Sequence, residues 1–273
     1  MKKYHKNIDF YRLFRETLVG KIMNWILDSH IHLSDSQYDT EIQYIIRSME
    51  KLHIKACCVS TDNPNSKKTL ELAKESDLIF PFVGIHPEKF KDNLDDMEEL
   101  ILQNNDKISG IGEIGLDRTY IESEEQFILQ KKVFETLLSL AEKQKKPVSI
   151  HSRKTLDEIY KIMPSYSING VLLHWFDGNK KQLQKAMDMD FFVSYGPVMV
   201  YATDKQTLLS KTNKDKILVE TDGPVRFSKC FGFKPAQISF IPSVVFCASK
   251  ILRETYDDFS TILEQNSNNY LGI

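Results

Sequence analysis

Seven histidines occur in the 273 residues, and five of them fall at or near the C-terminal ends of short apolar runs. His30 and His32 lie in Trp25–Leu33, His86 in Ile79–Pro87, His151 in Pro147–Ser152 and His174 in Gly170–Phe176. Glu113 lies in Lys107–Asp117, and Asp222 ends Ile217–Asp222. Imidazole and carboxylate together are a ligand set for divalent metals. On a strand, residues i and i+2 face the same side, so His30 and His32 can hold one ion. Glu113 and Asp222 bring the only charges to a set with His30, His32, His151 and His174. Two divalent cations would therefore leave a net positive centre that ionises a water and attracts a phosphate. Taken singly, each residue has an ordinary explanation: Glu113 a surface acid, His174 a core histidine, Asp222 a turn residue before Gly223. Their shared position at strand ends favours one cluster. His5 and His53 do not share it and are given no role.

Strands must supply that position. Besides the runs above, Lys55–Thr61 and Phe191–Gly196 read as strands, giving eight in all. Several are almost continuously apolar, as suits parallel strands covered on both faces. Helical periodicity fills the intervals 38–52, 64–76, 94–105, 123–146, 179–189 and 202–212. Another helix opens at Thr155-Leu156-Asp157-Glu158, and 237–252 and 256–268 close the chain. The start at Ser123-Glu-Glu-Gln126 reads as a capping box. Eight strand–helix repeats predict an α/β fold, a (β/α)8 barrel whose strand ends meet at one mouth. An open doubly wound sheet is the alternative, but no glycine-rich phosphate loop follows the first run. Residues 24–273 read as one barrel domain and 1–23 as an N-terminal extension, with Met23 an alternative start.

A composition of 41% hydrophobic and 27% charged residues is that of an ordinary globular chain. The formal net charge of −2 supplies no global field for polyanions, so nucleic-acid binding must rest on a local patch or on bound metal. Cys57, Cys58, Cys230 and Cys247 form no C-x-x-C pair and read as buried, reduced thiols. The chain has no membrane-length apolar run and no signal peptide, so a cytoplasmic protein without a membrane partner is expected. Oligomeric state stays open, with a monomer favoured.

The runs Asp28-Ser29-His30-Ile31-His32-Leu33, Gly84-Ile85-His86-Pro87, Gly112-Glu113-Ile114-Gly115-Leu116-Asp117, Ile150-His151, Leu173-His174 and Glu220-Thr221-Asp222-Gly223-Pro224 come in this order. They resemble the TatD family of metal-dependent deoxyribonucleases, among the amidohydrolase-type barrels, and the resemblance spans residues 24–273. It implies a hydrolase using two divalent ions (zinc, manganese or magnesium), typically a 3′-to-5′ exonuclease on single strands. By the same resemblance His30, His32, Glu113 and Asp222 would hold one ion, and Glu113, His151 and His174 the other. Glu113 would bridge them, and His86 would support a ligand or touch a phosphate. Asp222 is the expected proton acceptor. The segment after Asp222, Gly-Pro-Val-Arg, departs from the Ser-Pro of many relatives.

For a nucleic-acid substrate the loops offer Arg118 and Tyr120, Arg153 and Lys154, and Trp175 and Phe176. Phe176 is read as barrel wall, whereas Arg153 and Trp175 suit substrate or local packing equally. The loop 223–236 carries Arg226, Lys229 and Lys234 interleaved with Phe227, Phe231 and Phe233. It fits a capture loop for a flexible strand or a lid packed onto the barrel. The rival functions are an amidohydrolase or lactonase, an aminoacyl-tRNA deacylase, and a non-catalytic metal-binding partner protein. Many amidohydrolases bridge their metals with a lysine on the fourth strand. Here Lys107 only begins that run and Glu113 takes the bridging place.

Overall fold

The computed structural model describes residues 24–273; the N-terminal extension, with His5 and Met23, lies outside the described residues. Eight parallel strands pair in chain order: β1 (Ile26–Ile31), β2 (Ile54–Val59), β3 (Ile79–Val83), β4 (Gly110–Asp117), β5 (Val148–Arg153), β6 (Val171–Leu173), β7 (Phe192–Tyr195) and β8 (Ile217–Val219). Asp28 pairs with Val219, joining β1 to β8 and closing the barrel. The helices outside are α1 (Ile42–Leu52), α2 (Asn63–Glu75), α3 (Leu94–Gln103), α4 (Glu124–Gln144), α5 (Leu156–Ile162), α6 (Lys180–Asp188) and α7 (Thr203–Leu209), with α8 (Ile241–Leu252) and α9 (Tyr256–Leu271) after β8. This is the (β/α)8 architecture expected from the alternation of runs. None of these helices is long and apolar enough to cross a membrane.

Alternation along each strand builds two cores. One face points out and packs with the helices; Ile54, Ile79, Ile111, Val148, Leu173 and Ile217 belong to this layer. The other face fills the lumen with Leu27, Cys57, Val59, Phe82, Leu172, Phe192 and Leu218. Tyr270 of α9 joins this inner layer, its hydroxyl donating to Val148 O at 3.2 Å. Inward positions beyond the apolar layer are polar: Ser149 and His151 on β5, His174 after Leu172, Glu220 and Asp222 after Leu218. The chemistry therefore sits on a dry floor.

The register slips twice, between Asp28 and Ile31 on β1 and between Ile111 and Ile114 on β4. Such irregularities re-aim side chains next to functional sites, and here they flank His30 and contain Glu113. At Glu113 the β4 backbone passes beside Gly84; a Cβ there would lie 2.9 Å from Glu113 O. Only glycine at 84 allows that approach.

Several details differ from the sequence reading. β6 and β8 stop short of His174 and Asp222, although His174 N–H still donates to Ile150 O and Asp222 N–H to His30 O. The box at Ser123 is incomplete: Ser123 accepts from Gln126 N–H, but the Gln126 side chain accepts from Glu122 N–H. The reciprocal box is at Asn179 and Gln182 instead. The Thr155 hydroxyl donates to Leu116 O and does not cap α5. Cys57 and Cys58 are buried thiols, but Cys230 is exposed because it lies on the loop after β8.

Buried Gln130 on α4 ties the site to the shell. Its carbonyl accepts from Asp117 N–H at 2.8 Å, and its amide donates to Pro87 O at 2.9 Å. Gln130→Leu strands an N–H and a carbonyl in the interior and is expected to cost about 1–3 kcal/mol per stranded group. A lower urea midpoint at unchanged m-value is the expected readout; an unmoved midpoint contradicts this role.

Candidate metal centre

Glu113 is the centre of the barrel mouth, 2% exposed and faced by five imidazoles. Oε1 lies 2.8 Å from His151 Nδ1, 2.9 Å from His174 Nε2 and 3.4 Å from His86 Nε2. Oε2 lies 3.4 Å from His30 Nε2 and 3.5 Å from His32 Nε2. Asp222 Oδ1 stands 3.4 Å from His32 Nε2 and 3.7 Å from His30 Nε2. Residues brought in by β1, β3, β4, β5, β6 and β8 thus converge within a few ångströms.

The outer atoms of the rings decide what the inner atoms can do. His32 Nδ1 sits 2.8 Å from Val59 O, which can only accept, so Nδ1 carries a proton and Nε2 is the atom left to take a second proton or a metal ion. His30 Nδ1 meets Ser149 Oγ at 2.8 Å, and His151 Nε2 meets Asp117 Oδ2 at 2.8 Å. His30 and His32 then face each other through Nε2 atoms 3.3 Å apart, and His151 Nδ1 lies 3.4 Å from His174 Nε2. Lone pairs held this close need a proton or a cation between them. The donor set, with Glu113 between the two nitrogen pairs, fits divalent metal. His86 is different: its Nδ1 accepts from Glu88 N–H at 3.1 Å, so Nε2 carries the proton. His86 brings a donor to the cluster, although its Nε2 is close enough to share a cation with Glu113 and His151. The tautomer is the stronger criterion, because it fixes the direction of the hydrogen bond.

A family model described as TatD related DNase matches residues 27–272. The chain belongs to this family. Its relatives include YabD of Bacillus subtilis, an uncharacterized metal-dependent hydrolase, 27% identical over 91% of this chain and 99% of YabD. The deoxyribonuclease TATDN3 of Homo sapiens is 26% identical over 73% of this chain and 78% of its own length. In fold, the chain is similar to the TatD homologue YjjV of Escherichia coli, with a TM-score of 0.83 at 21% identity over 91% of this chain and 98% of that one. A metal-dependent hydrolase family and a donor set of imidazoles and carboxylates agree.

Three residues of this TatD family member escaped the sequence reading. Asp117 holds His151 Nε2 and is itself held by Thr119 N–H and hydroxyl. Buried Glu220 accepts from Trp175 N–H and Ser194 Oγ, with Oε2 3.8 Å from His174 Nδ1. Buried Asp28 accepts from Thr221 N–H and hydroxyl, tying β1 to the end of β8. The signal for Glu220 was present, since Glu220 and Asp222 stand i and i+2 at a strand end, like His30 and His32.

The loop candidates divide. Arg118 lies 3.8 Å over the Phe127 ring and pairs with Glu124 and Glu158, which commits it to the barrel wall. Arg226 donates to Phe233 O at 3.0 Å and ties its own loop together. Phe227 is buried and Phe231 packs on Phe240, whereas Phe233 is 66% exposed. Lys229 and Lys234 are exposed and pair with no acid among the described residues. Arg153, Trp175 and Tyr120 line the cavity of about 410 Å³ above Glu113. Phe176 is buried in the outer layer, as expected of barrel wall.

The electrostatics set a pH dependence. Burial opposes charge on His32, but the Asp222 hydrogen bond and the Glu113 charge outweigh it and raise its pKa to about 9. Burial likewise opposes charge on His151, and Asp117 and Glu113 outweigh it, again to about 9. His30, desolvated and beside His174, falls to about 3. Near pH 7 a cation must therefore displace protons from His32 and His151. Metal uptake should release up to two protons per chain, with affinity falling as pH drops below about 9. Calorimetry in buffers of different ionisation enthalpy reads the release; a value near zero at pH 7 contradicts the arrangement. Replacing His151 and His174 together by alanine should leave about one ion per chain by elemental analysis, and unchanged stoichiometry would exclude them as ligands.

Proposed function

We infer that this TatD family hydrolase cleaves phosphodiester bonds of nucleic acid, acting from the 3′ end of a single strand. The observation that carries the reading is Glu113, buried among five imidazoles, four of them with hydrogen-bonded outer nitrogens, at the bottom of an open cavity of about 410 Å³. His30, His32, Glu113 and Asp222 would hold one divalent cation, and Glu113, His151 and His174 a second. When bound, the cations supply Lewis acidity and positive charge against a phosphate.

The protein's own groups supply the rest. Burial disfavours charge on Asp222, but the His32 hydrogen bond and nearby imidazoles lower its pKa, so it is ionised at neutral pH. An ionised carboxylate at the mouth can take the proton of the attacking water. His86 Nε2–H offers a donor to a phosphate oxygen, and burial keeps its pKa low, at about 4, so the ring stays neutral. Asp117 holds His151 in place, and Glu220 stands 3.8 Å behind His174 Nδ1. A carboxylate, not a lysine, faces both nitrogen pairs from β4, which favours this reading over an amidohydrolase with a bridging lysine. The name of the human relative, a deoxyribonuclease, supports the substrate class.

Asp222→Asn is expected to cut turnover on an end-labelled single strand by about 100-fold or more while the fold persists. The assay uses DNA and RNA, single- and double-stranded, after chelation and return of zinc, manganese or magnesium. Loss confined to ester or aminoacyl-tRNA substrates, with no cleavage of any strand, would assign the site to another hydrolase. Near-full activity in Asp222→Asn would require a different base.

A further inference from the structure

Trp175 adopts φ +42°, a left-handed conformation that a bulky side chain rarely takes. Strain of this kind persists only where the surroundings enforce it. Here they do: the Trp175 N–H donates to Glu220 Oε1 at 2.8 Å and to Ser194 Oγ at 3.1 Å, both buried. The indole stacks on Phe227, with centroids 5.3 Å apart and planes 25° apart. Phe227 is 2% exposed, so the indole rests on a fixed support. Its own N–H has no acceptor among the described residues.

This ring lines the cavity above Glu113. Tyr120 lines it too, 40% exposed, with its ring 5.7 Å from that of His86. Arg153, on the strand between those that precede the two aromatics, lines it with a guanidinium that makes no ion pair among the described residues. Two π faces and one free cation beside a phosphate-binding floor match a flat group attached to a phosphate through a sugar. The cavity lies within the roughly 300–1,000 Å³ usual for small-ligand sites, a bowl for a strand end.

We propose that Trp175, supported by Phe227 and flanked by Tyr120 and Arg153, forms the subsite for the base of the terminal nucleotide whose phosphodiester is cleaved. The subsite rests on the nuclease reading above. It selects an unstacked strand end without choosing among the four bases, because every base has a π face. The loop after β8 then acts as a prop for the indole through Phe227.

Two measurements test it. The chain has two tryptophans, and Trp25 packs on His53 at the opposite end of the barrel. In Trp25→Phe the fluorescence therefore reports Trp175 alone. Deoxyadenosine monophosphate should quench it saturably, and deoxyribose 5-phosphate should not; equal effects overturn the proposal. On a single strand with a normal or an abasic terminal nucleotide, the parent should prefer the normal end on the order of tenfold in kcat/KM, the size of one stacking contact. Trp175→Leu should erase the preference with metal content unchanged, and Trp175→Phe should keep most of it. A preference that survives in Trp175→Leu overturns the proposal. Selective quenching without cleavage of any strand would retain the subsite and refute the nuclease reading.

Discussion

Burying a carboxylate is costly unless it is paired and hydrogen-bonded, and Glu113 is buried at the point where the strand ends converge. Five imidazoles meet its two oxygens, and desolvation alone would favour the neutral acid. The surrounding rings reverse that and hold its pKa well below the ordinary value. The nearby backbone serves the same end: the slip in β4 brings Glu113 inward, and Gly84 leaves room for it.

Each ring that faces Glu113 from β1 or β5 is fixed from behind by another part of the barrel. Val59 on β2 holds His32, Ser149 on β5 holds His30, and Asp117 on β4 holds His151. Asp28 on β1 holds Thr221 beyond β8 and so fixes the position of Asp222 across the closure. These contacts cross strand boundaries, so the arrangement of these side chains requires the closed barrel. Whatever binds there stabilises the closed form by linkage. The dry layer of Leu27, Phe82, Phe192 and Tyr270 beneath keeps water from entering from below.

The repeats and the ring-bearing strand ends were legible in the sequence because they obey local rules. Alternation gives the strand, and a strand end in a barrel gives the mouth. Glu220 obeyed the same i, i+2 rule as His30 and His32, but its function lies in contacts to Trp175 and Ser194 that are remote in sequence. Asp117 was quoted as part of a motif, yet nothing local marks it as a partner of His151. Arg118 and Arg226 looked like free cations because composition does not show where a guanidinium points. One is spent on Phe127 and two glutamates, the other on a backbone carbonyl. Ser123 shows a similar limit: a capping-box sequence met a geometry in which Gln126 reached one residue too far back.

That spending of cations bears on how a polyanion is held. The chain carries a formal net charge of −2, and its mouth presents Glu113 and Asp222, with Asp117 and Glu220 close behind. Near pH 7 the protons on His32 and His151 offset the ionised carboxylates, so without bound cations the mouth offers a phosphate little more than Arg153 at its rim. Divalent ions held by these imidazoles and carboxylates would make the mouth positive. The same ions would then create both the attraction for the strand and the acidity for its hydrolysis. Coupling between two ligands is reciprocal, so a strand bound above Glu113 would tighten the ions by the factor with which the ions tighten the strand. On the proposed function, recognition and chemistry would be one equilibrium, set by how Glu113 and its rings share charge.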